Sequence, residues 1–135
     1  MATPSQTILV LGGGVGGVTT AVMLKERLGD RHRVVLVERE AAYVFAPSLL
    51  WLLTGDREPS AISRPMDRLR GRGVEVLRGE VEGVDAENRA VTVSGSRLAA
   101  DWLVVALGAD LAPEGLPGLA DAGPTLYTLA GAPAV

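Results

Sequence analysis

The amino-acid sequence predicts an α/β fold in which a parallel sheet is combined with an antiparallel β-meander. Two continuous apolar runs lie near the start of the chain, with a segment of helical periodicity between them. Short, half-polar segments separated by turn residues follow later in the chain. Continuous runs are typical of strands buried on both faces of a parallel sheet, and half-polar segments are typical of antiparallel strands.

The first apolar run, residues 8–11, is stopped by glycines, and the second covers residues 34–37. The residues between them that fall on one helical face, at steps of four, three and four, are Gly17, Ala21, Leu24 and Leu28. Gly29 is a natural end for this helix. Strand, helix and strand in this order predict a Rossmann-like βαβ unit with a right-handed crossover.

The middle of the chain predicts shorter elements. Residues 43–53 combine a loop with a short apolar helix, and residues 65–72 form another short helix that has Pro65 near its first turn. Residues 74–77 then form a third parallel strand.

The meander is predicted from residues 80–84 and 90–93 and a stub near Leu98, with turns at Asn88 and Gly95. Residues 102–107 return to a fully buried pattern and are expected to rejoin the parallel sheet.

The domain organisation follows from a change of composition after Gly108. We predict an incomplete dinucleotide-binding domain over residues 1–108. Residues 109–135 are rich in Pro, Gly and Ala and carry little periodicity, so we expect a linker toward an absent second domain.

The glycines between the first strand and the helix form the pattern Gly12-x-Gly14-x-x-Gly17. In this context Gly12 permits a tight turn, Gly14 allows a pyrophosphate to approach the backbone, and Gly17 lets the helix pack against the strand. The start of the helix presents N–H groups and a partial positive charge to phosphates. The alternative is a glycine-rich turn that binds nothing.

Glu38 ends the second strand, 21 residues after Gly17. A carboxylate at this place accepts hydrogen bonds from the hydroxyls of an adenosine ribose and disfavours a 2′-phosphate, and hence NADP. Arg39 complicates the second point, because an arginine can tolerate that phosphate. The alternative for Glu38 is a solvated glutamate at the end of a strand.

Several classes of function are excluded or disfavoured. The chain has no cysteine, which excludes thiolate zinc sites and thiol chemistry within it. The sole histidine, His32, lies in a polar run and is expected to be a solvated turn residue, so no metal site is predicted. A net charge of −3 and few aromatic residues disfavour nucleic acid as a partner. Residues 1–7 lack the features of a signal peptide, and a cytoplasmic protein is expected.

Four features together resemble the N-terminal part of sulfide:quinone oxidoreductases and the related type II NADH dehydrogenases, which are flavoproteins with two dinucleotide-binding domains. The first two are the glycine loop and Glu38. The third is the segment Tyr-Val-Phe-Ala-Pro-Ser-Leu-Leu-Trp at residues 43–51, which is similar to the family's aromatic-x-Pro-Ser segment beside the flavin. The fourth is the strand at residues 103–108 followed by Leu116-Pro117-Gly118.

The resemblance implies FAD as the cofactor and gives roles to individual residues. Gly12, Gly14 and Gly16, with Val15 between the last two, would line the pyrophosphate. The remaining cofactor-binding set is Glu38 at the adenosine ribose with Arg39 next to it, Val81 at the adenine, Ala106 and Gly108 where the chain leaves the domain, and Pro47 at the isoalloxazine. Pro47 as a loop breaker and Val81 as a core residue remain open. Leu107 stands where the family usually has threonine.

The implied function is an FAD-dependent oxidoreductase that passes electrons from a small reductant, with sulfide as the leading candidate, to a quinone. The family's second glycine-rich βαβ unit, its redox cysteines and any contact with a membrane are expected beyond residue 135, and no catalytic residue is assigned within the chain. The alternatives are a type II NADH dehydrogenase, a stand-alone module that binds NAD or ADP without catalysis, and a fragment that self-associates through an unpaired sheet edge.

Overall fold

A computed structural model describes residues 5–119, 121 and 123–132 of the chain. The strands within these ranges are β1 (Thr7–Leu11), β2 (Arg33–Glu38), β3 (Ala42–Val44), β4 (Ser63–Pro65), β5 (Glu75–Arg78), β6 (Val81–Asp85), β7 (Ala90–Val93), β8 (Ser96–Ala99) and β9 (Trp102–Val105). The α-helices are α1 (Val15–Leu28), α2 (Leu49–Leu53) and α3 (Pro59–Ile62). Short 3₁₀ helices cover Gly29–Arg31, Ala46–Ser48, Met66–Arg72 and Pro113–Gly115.

Four strands form the predicted parallel sheet, in the order β5-β2-β1-β9. Leu9 is aligned with Val35 on one side and with Leu103 on the other. At the start of two neighbouring strands the Arg33 guanidinium donates to both carboxylate oxygens of Glu75, at 3.0 and 2.8 Å. These hydrogen bonds lower the pKa of Glu75. The prediction of an α/β fold with a parallel sheet is confirmed.

The two faces of the parallel sheet are covered by different elements, because successive side chains of a strand point to opposite faces. On the first face the sheet packs against α1 and the Met66–Arg72 segment, and the buried members of this cluster are Ile8, Val10, Ala21, Val34, Leu36, Met66, Val74 and Val76. On the second face it packs against β7 of the meander, and the buried members of this cluster are Leu9, Leu11, Val35, Val37, Val91 and Val93. The sheet therefore has a helical layer on one side and the meander on the other.

Helix α1 follows the predicted periodicity. Gly17 and Ala21 are buried, and Leu24 and Leu28 pack against the first face of the sheet. The helix ends at Gly29, which has a φ of +60° and whose N–H bonds to the carbonyl of Lys25. The absence of a side chain at Gly29 makes this backbone conformation accessible.

The meander of β6, β7 and β8 is antiparallel, as predicted. At its first turn the Asp85 carboxylate accepts hydrogen bonds from Arg97 Nη2, at 2.7 Å, and from the backbone and side chain of Asn88. These bonds, first among them the one from Arg97, lower the pKa of Asp85 to about 2.

The expected burial of residues 102–107 is wrong. β9 pairs with β1, as predicted, but Trp102 is 59% exposed and Val105 is 60% exposed. Among the described strands β9 has one neighbour, so one edge of the strand and part of its faces are not covered. An apolar run indicates a strand, but it does not indicate how many neighbours that strand has.

A groove of about 360 Å³ lies beside β9 on the helical side of the sheet. His32 lines it together with Leu24, Leu28 and Trp102. His32 follows the turn Gly29–Arg31, as expected, but it is half-buried instead of solvated. Its Nδ1 accepts a hydrogen bond from the backbone N–H of Gln6 at 3.1 Å.

The middle of the chain contains elements that periodicity does not predict. β3 and β4 have three residues each and pair with each other, and α3 has four residues. The predicted helix at residues 65–72 is a 3₁₀ helix, Met66–Arg72, and Pro65 precedes it. β3, β4 and α3 contain only three or four residues each, so their sequences carry little periodic signal.

The described chain divides into two compact units. The first contains the parallel sheet, α1 and the meander, and the second is formed by Val44–Arg64 and the described residues beyond Gly108. The second unit has its own apolar cluster, whose buried members are Leu49, Leu52, Ile62 and Ala132. The interpretation of residues 109–135 as a linker stays a prediction, and residues 120, 122 and 133–135 of that stretch lie outside the described residues. No helix in the described ranges is long and apolar enough to cross a membrane.

Candidate dinucleotide-binding site

The candidate site is built at the carboxyl edge of the parallel sheet, where β1, β2 and β9 end. The glycine loop follows β1, and the N–H of Gly12 donates to the Val37 carbonyl of β2 at 2.9 Å. On the other side, the N–H of Ala106 donates to the Leu11 carbonyl at 2.8 Å. The loop is therefore held between the ends of two neighbouring strands, which is where open α/β sheets bind ligands.

Gly12 and Gly17 have the structural roles that their spacing predicts. Gly12 has a φ of +98°, and a Cβ built on it would collide with the carbonyl of Ala106. A Cβ on Gly17 would collide with the carbonyl of Gly12 and would lie 3.6 Å from Leu36 Cδ1. The two collisions, with the carbonyls of Ala106 and Gly12, involve backbone atoms. A side chain at either position therefore requires the loop or the helix to move.

Gly14, Val15 and Gly16 form an open surface at the start of α1. All three are exposed, and a Cβ on Gly14 or Gly16 would meet nothing within 4 Å. The first turn of the helix contains no acidic residue, and no side chain caps its N–H groups. The first backbone bond of the helix runs from the Val18 N–H to the Gly14 carbonyl at 3.0 Å.

The N–H groups before Val18 therefore have no carbonyl within the helix to bond to, and the helix dipole places a partial positive charge beside them. This arrangement fits a pyrophosphate, which supplies negative charge and acceptor oxygens.

Glu38 is half-buried at the end of β2, beside the loop. Its Oε2 accepts a hydrogen bond from the backbone N–H of Gly13, and its Oε1 accepts one from the backbone N–H of Glu40 at 2.8 Å. A carboxylate has about four acceptor positions, so about two remain for other donors. The carboxylate is thus ordered and still able to accept hydrogen bonds from the hydroxyls of a ribose.

Arg39 lies beside two carboxylates on the surface. Its guanidinium is 3.7 Å from Glu40 Oε1 and 3.9 Å from Glu80 Oε1. Its backbone carbonyl accepts a hydrogen bond from Arg78 Nε at 3.4 Å. Because the cation is already opposed by two anions, it adds less attraction for a 2′-phosphate than an isolated arginine would.

Ala106 and Gly108 follow β9 in the first unit. Ala106 is half-buried and its carbonyl faces Gly12, whereas Gly108 is exposed and has a φ of +76°. Val81 lies on β6, and its side chain packs against the core on the second face of the sheet. The Val81 side chain is therefore part of the apolar core. The contact of its backbone with an adenine stays a prediction.

Pro47 belongs to the second unit and lies in the first turn of the 3₁₀ helix Ala46–Ser48. It is exposed, and the next two residues, Ser48 and Leu49, are buried. A proline is favourable at the start of a helix because its fixed φ suits the first turn. This explains the residue locally, and its approach to an isoalloxazine stays a prediction.

Gly13 is the site residue that the motif did not single out. It is buried, and it connects the loop to Glu38 through its N–H. The run of three glycines at residues 12–14 was visible, but the need for the middle one depends on side chains 25 or more residues away, Glu38 and Met66. Spacing rules for the loop alone do not contain that information.

A comparison with known families decides the identity of the fold. Residues 6–133 match the family described as pyridine nucleotide-disulphide oxidoreductase. The chain belongs to this family. The family consists of FAD-binding flavoproteins, so the prediction of FAD as the cofactor is confirmed at the level of the family.

Relatives within the pyridine nucleotide-disulphide oxidoreductase family include two quinone-linked proteins. The chain is 34% identical over 140 residues to the alternative NAD(P)H-ubiquinone oxidoreductase C1 of Arabidopsis thaliana, with 90% of the chain and 27% of the relative covered. It is 34% identical over 131 residues to the demethylphylloquinone reductase NdbB of Synechocystis, with 90% and 32% covered.

Among solved structures, the sulfide:quinone oxidoreductase of Aquifex aeolicus superposes on the chain with a TM-score of 0.89 at 28% identity. This match covers 96% of the chain and 30% of that protein. The resemblance to sulfide:quinone oxidoreductases and related quinone reductases is confirmed. The chain spans between about a quarter and a third of the length of these relatives.

Proposed function

We propose that this chain binds the ADP half of FAD in an oxidoreductase that passes electrons from a small reductant through FAD to a quinone. The observation that carries the proposal is the pairing of an uncapped helix N-terminus at Gly14–Gly16 with the ordered Glu38 carboxylate, at one edge of the sheet. The helix N-terminus suits the pyrophosphate, and the Glu38 carboxylate suits the adenosine ribose.

FAD supplies the redox chemistry when it is bound, and the residues of this chain bind and orient it. Backbone N–H groups at Gly14, Val15 and Gly16 hold the pyrophosphate, and Glu38 holds the ribose. Val81 would contact the adenine through its backbone. Ala106 and Gly108 would pass close to the cofactor, and Pro47 would approach the flavin ring.

Sulfide is our first candidate for the reductant, and NADH is the second. The solved sulfide:quinone oxidoreductase of Aquifex aeolicus supports the former, and the NAD(P)H-ubiquinone oxidoreductase of Arabidopsis thaliana supports the latter. Both of those proteins, by name, act with a quinone, which supports a quinone as the acceptor. We also propose a cytoplasmic location.

A stand-alone module that binds NAD or ADP is the second candidate function. It is favoured by one observation: the uncapped helix N-terminus and the Glu38 carboxylate suit an ADP group, which FAD and NAD share. Nothing in that part of the site depends on a flavin ring.

The first experiment is an absorbance spectrum of the purified protein before and after incubation with FAD and removal of the excess. We expect retained visible flavin bands, and we expect a Gly14→Leu variant to lose them because its side chain occupies the pyrophosphate position. Gly83→Leu is the matched control, since a Cβ there also meets nothing within 4 Å and Gly83 lies on the meander.

Saturable binding of NAD and ADP without retention of FAD would support the stand-alone module instead. Absence of binding for all three ligands would contradict the proposed function. For the reductant, sulfide and NADH are added anaerobically and separately to the FAD-loaded full-length protein, because no catalytic residue is assigned within this chain. The one that bleaches the visible flavin bands is the reductant.

A further inference from the structure

Gly13 occupies a place where the glycine loop, Glu38 and Met66 meet. We propose that Gly13 is a positioning residue that holds the Glu38 carboxylate, together with the backbone N–H of Glu40, so that the site selects nucleotides with a free adenosine ribose diol. The inference rests on the proposed function, because it assumes that the loop binds an ADP group.

The hydrogen bonds hold Glu38 at both of its oxygens. Gly13 donates to Oε2 and Glu40 donates to Oε1, at 2.8 Å for the latter. Both donors are backbone groups, so their positions are set by the loop and by the chain after β2 instead of by flexible side chains. A carboxylate whose two oxygens are both hydrogen-bonded has already lost its rotational freedom. Binding of a ribose therefore costs less conformational entropy.

The contacts around Gly13 leave no space for a side chain. A Cβ built there would lie 2.7 Å from Glu38 Cγ, 2.8 Å from Glu38 Oε2 and 2.8 Å from Met66 Cε. These are side-chain atoms, whereas a Cβ built on Gly12 or Gly17 would collide with backbone atoms. An alanine at position 13 therefore requires the Glu38 and Met66 side chains to move.

The same arrangement makes the site selective. A carboxylate that is tied to the backbone cannot turn away from a 2′-phosphate, so that phosphate meets a fixed negative charge. A ribose with two hydroxyls instead supplies donors to the acceptor positions that remain. Selectivity for the diol thus depends on Gly13 as well as on Glu38.

The test compares the binding of ADP with that of 2′,3′-dideoxy-ADP by isothermal titration calorimetry. A hydrogen bond to a charged group implies that the wild-type protein prefers ADP by at least about tenfold. In the Gly13→Ala variant we expect the preference for ADP over 2′,3′-dideoxy-ADP to fall to about threefold or less. The affinity for 2′,3′-dideoxy-ADP stays nearly unchanged. Gly83→Ala, the control, keeps the wild-type ratio.

Two results of the titration would overturn the inference: a Gly13→Ala protein that retains the preference for ADP, or one that loses both ligands to the same extent. A wild-type protein that binds both ligands without preference would overturn it as well. If the wild-type protein binds neither ligand, the proposed function fails.

The hydrogen-bond arrangement is tested without any nucleotide by amide NMR of the wild-type protein and Glu38→Ala. We expect the Gly13 and Glu40 amide protons to move upfield together and to exchange faster in the variant. The Gly79 amide is the internal control, because it bonds to the main-chain carbonyl of Glu38 at 3.0 Å, which the substitution retains. Unchanged Gly13 and Glu40 resonances would overturn the inference whatever the outcome of the titration.

Discussion

At the scale of single residues, the glycines of the loop divide into those that the fold requires and those that leave room for a ligand. Gly12 and Gly17 belong to the first class, because a Cβ at either would meet backbone atoms. Gly14 and Gly16 belong to the second, because a Cβ at either would meet open space. The sequence motif contains members of both classes, and only the three-dimensional contacts separate them.

This division predicts opposite effects of alanine substitution on stability. We expect Gly12→Ala and Gly17→Ala to lower the free energy of unfolding by about 2 kcal/mol or more, because each forces backbone to move and Gly12 also has a positive φ. Gly16→Ala is expected to change it little or to raise it slightly, since alanine is the better helix former. Urea denaturation monitored by circular dichroism measures all three. Equal destabilisation by the three substitutions would contradict the division.

Asp85 gives a residue-scale prediction about pH. Its hydrogen bonds with Arg97 and Asn88 hold its pKa at about 2, below the ordinary value of 3.8. A lowered pKa means that the folded protein favours the charged form. The contribution to stability is therefore fully present above pH 3.8 and is lost as the pH falls through about 2.

The pKa itself is measured by NMR titration of the side-chain carboxyl carbon of Asp85. We expect Arg97→Ala to raise the pKa of Asp85 toward 3.8. The substitution removes the hydrogen bond from Arg97, which lowers that pKa more than any other contact does. A wild-type Asp85 that already titrates at 3.8 would contradict the arrangement of this turn.

At the scale of elements, the long, periodic or continuously apolar segments could be predicted and the short ones could not. β1, α1 and β2 were predicted because each shows its own pattern over at least four residues. β3, β4 and α3 were missed, because elements of three or four residues are defined by the partners they meet and not by a local pattern. The strand β9 was predicted, but its exposure depends on its place in the sheet.

The edge of β9 that pairs with no strand in the described residues predicts self-association of the protein. A strand edge presents unpaired N–H and C=O groups, and Trp102 and Val105 add apolar surface beside them. We expect analytical ultracentrifugation to show a dimer whose fraction rises with concentration. We expect Val105→Lys to shift the protein toward the monomer, because a charge on an edge strand opposes pairing with a second chain.

The matched control for this substitution is Val84→Lys, since Val84 is also an exposed valine on a strand but lies on β6 of the meander. A protein that stays monomeric at all concentrations, or a dimer that both substitutions weaken equally, would contradict a role for the β9 edge.

At the scale of the whole molecule, the fold and the family could be predicted because local patterns and a few spaced motifs agree with each other. The strand, glycine loop, helix and Glu38 occur in one order and at one spacing, and the structure places them at one edge of one sheet. The link between Gly13, Glu38 and Met66 could not be predicted, because it joins residues that are distant in the chain through side-chain contacts.

The central claim is that the glycine loop and Glu38 together bind an ADP group, as the half of FAD that this chain holds. Titration of the ¹⁵N-labelled protein with ADP, followed by amide NMR, tests this claim most directly. We predict that the largest and saturable shifts fall on Gly14, Val15 and Gly16 and on the backbone around Glu38. Saturable shifts centred on the groove beside Trp102, or no shifts at all, would contradict it.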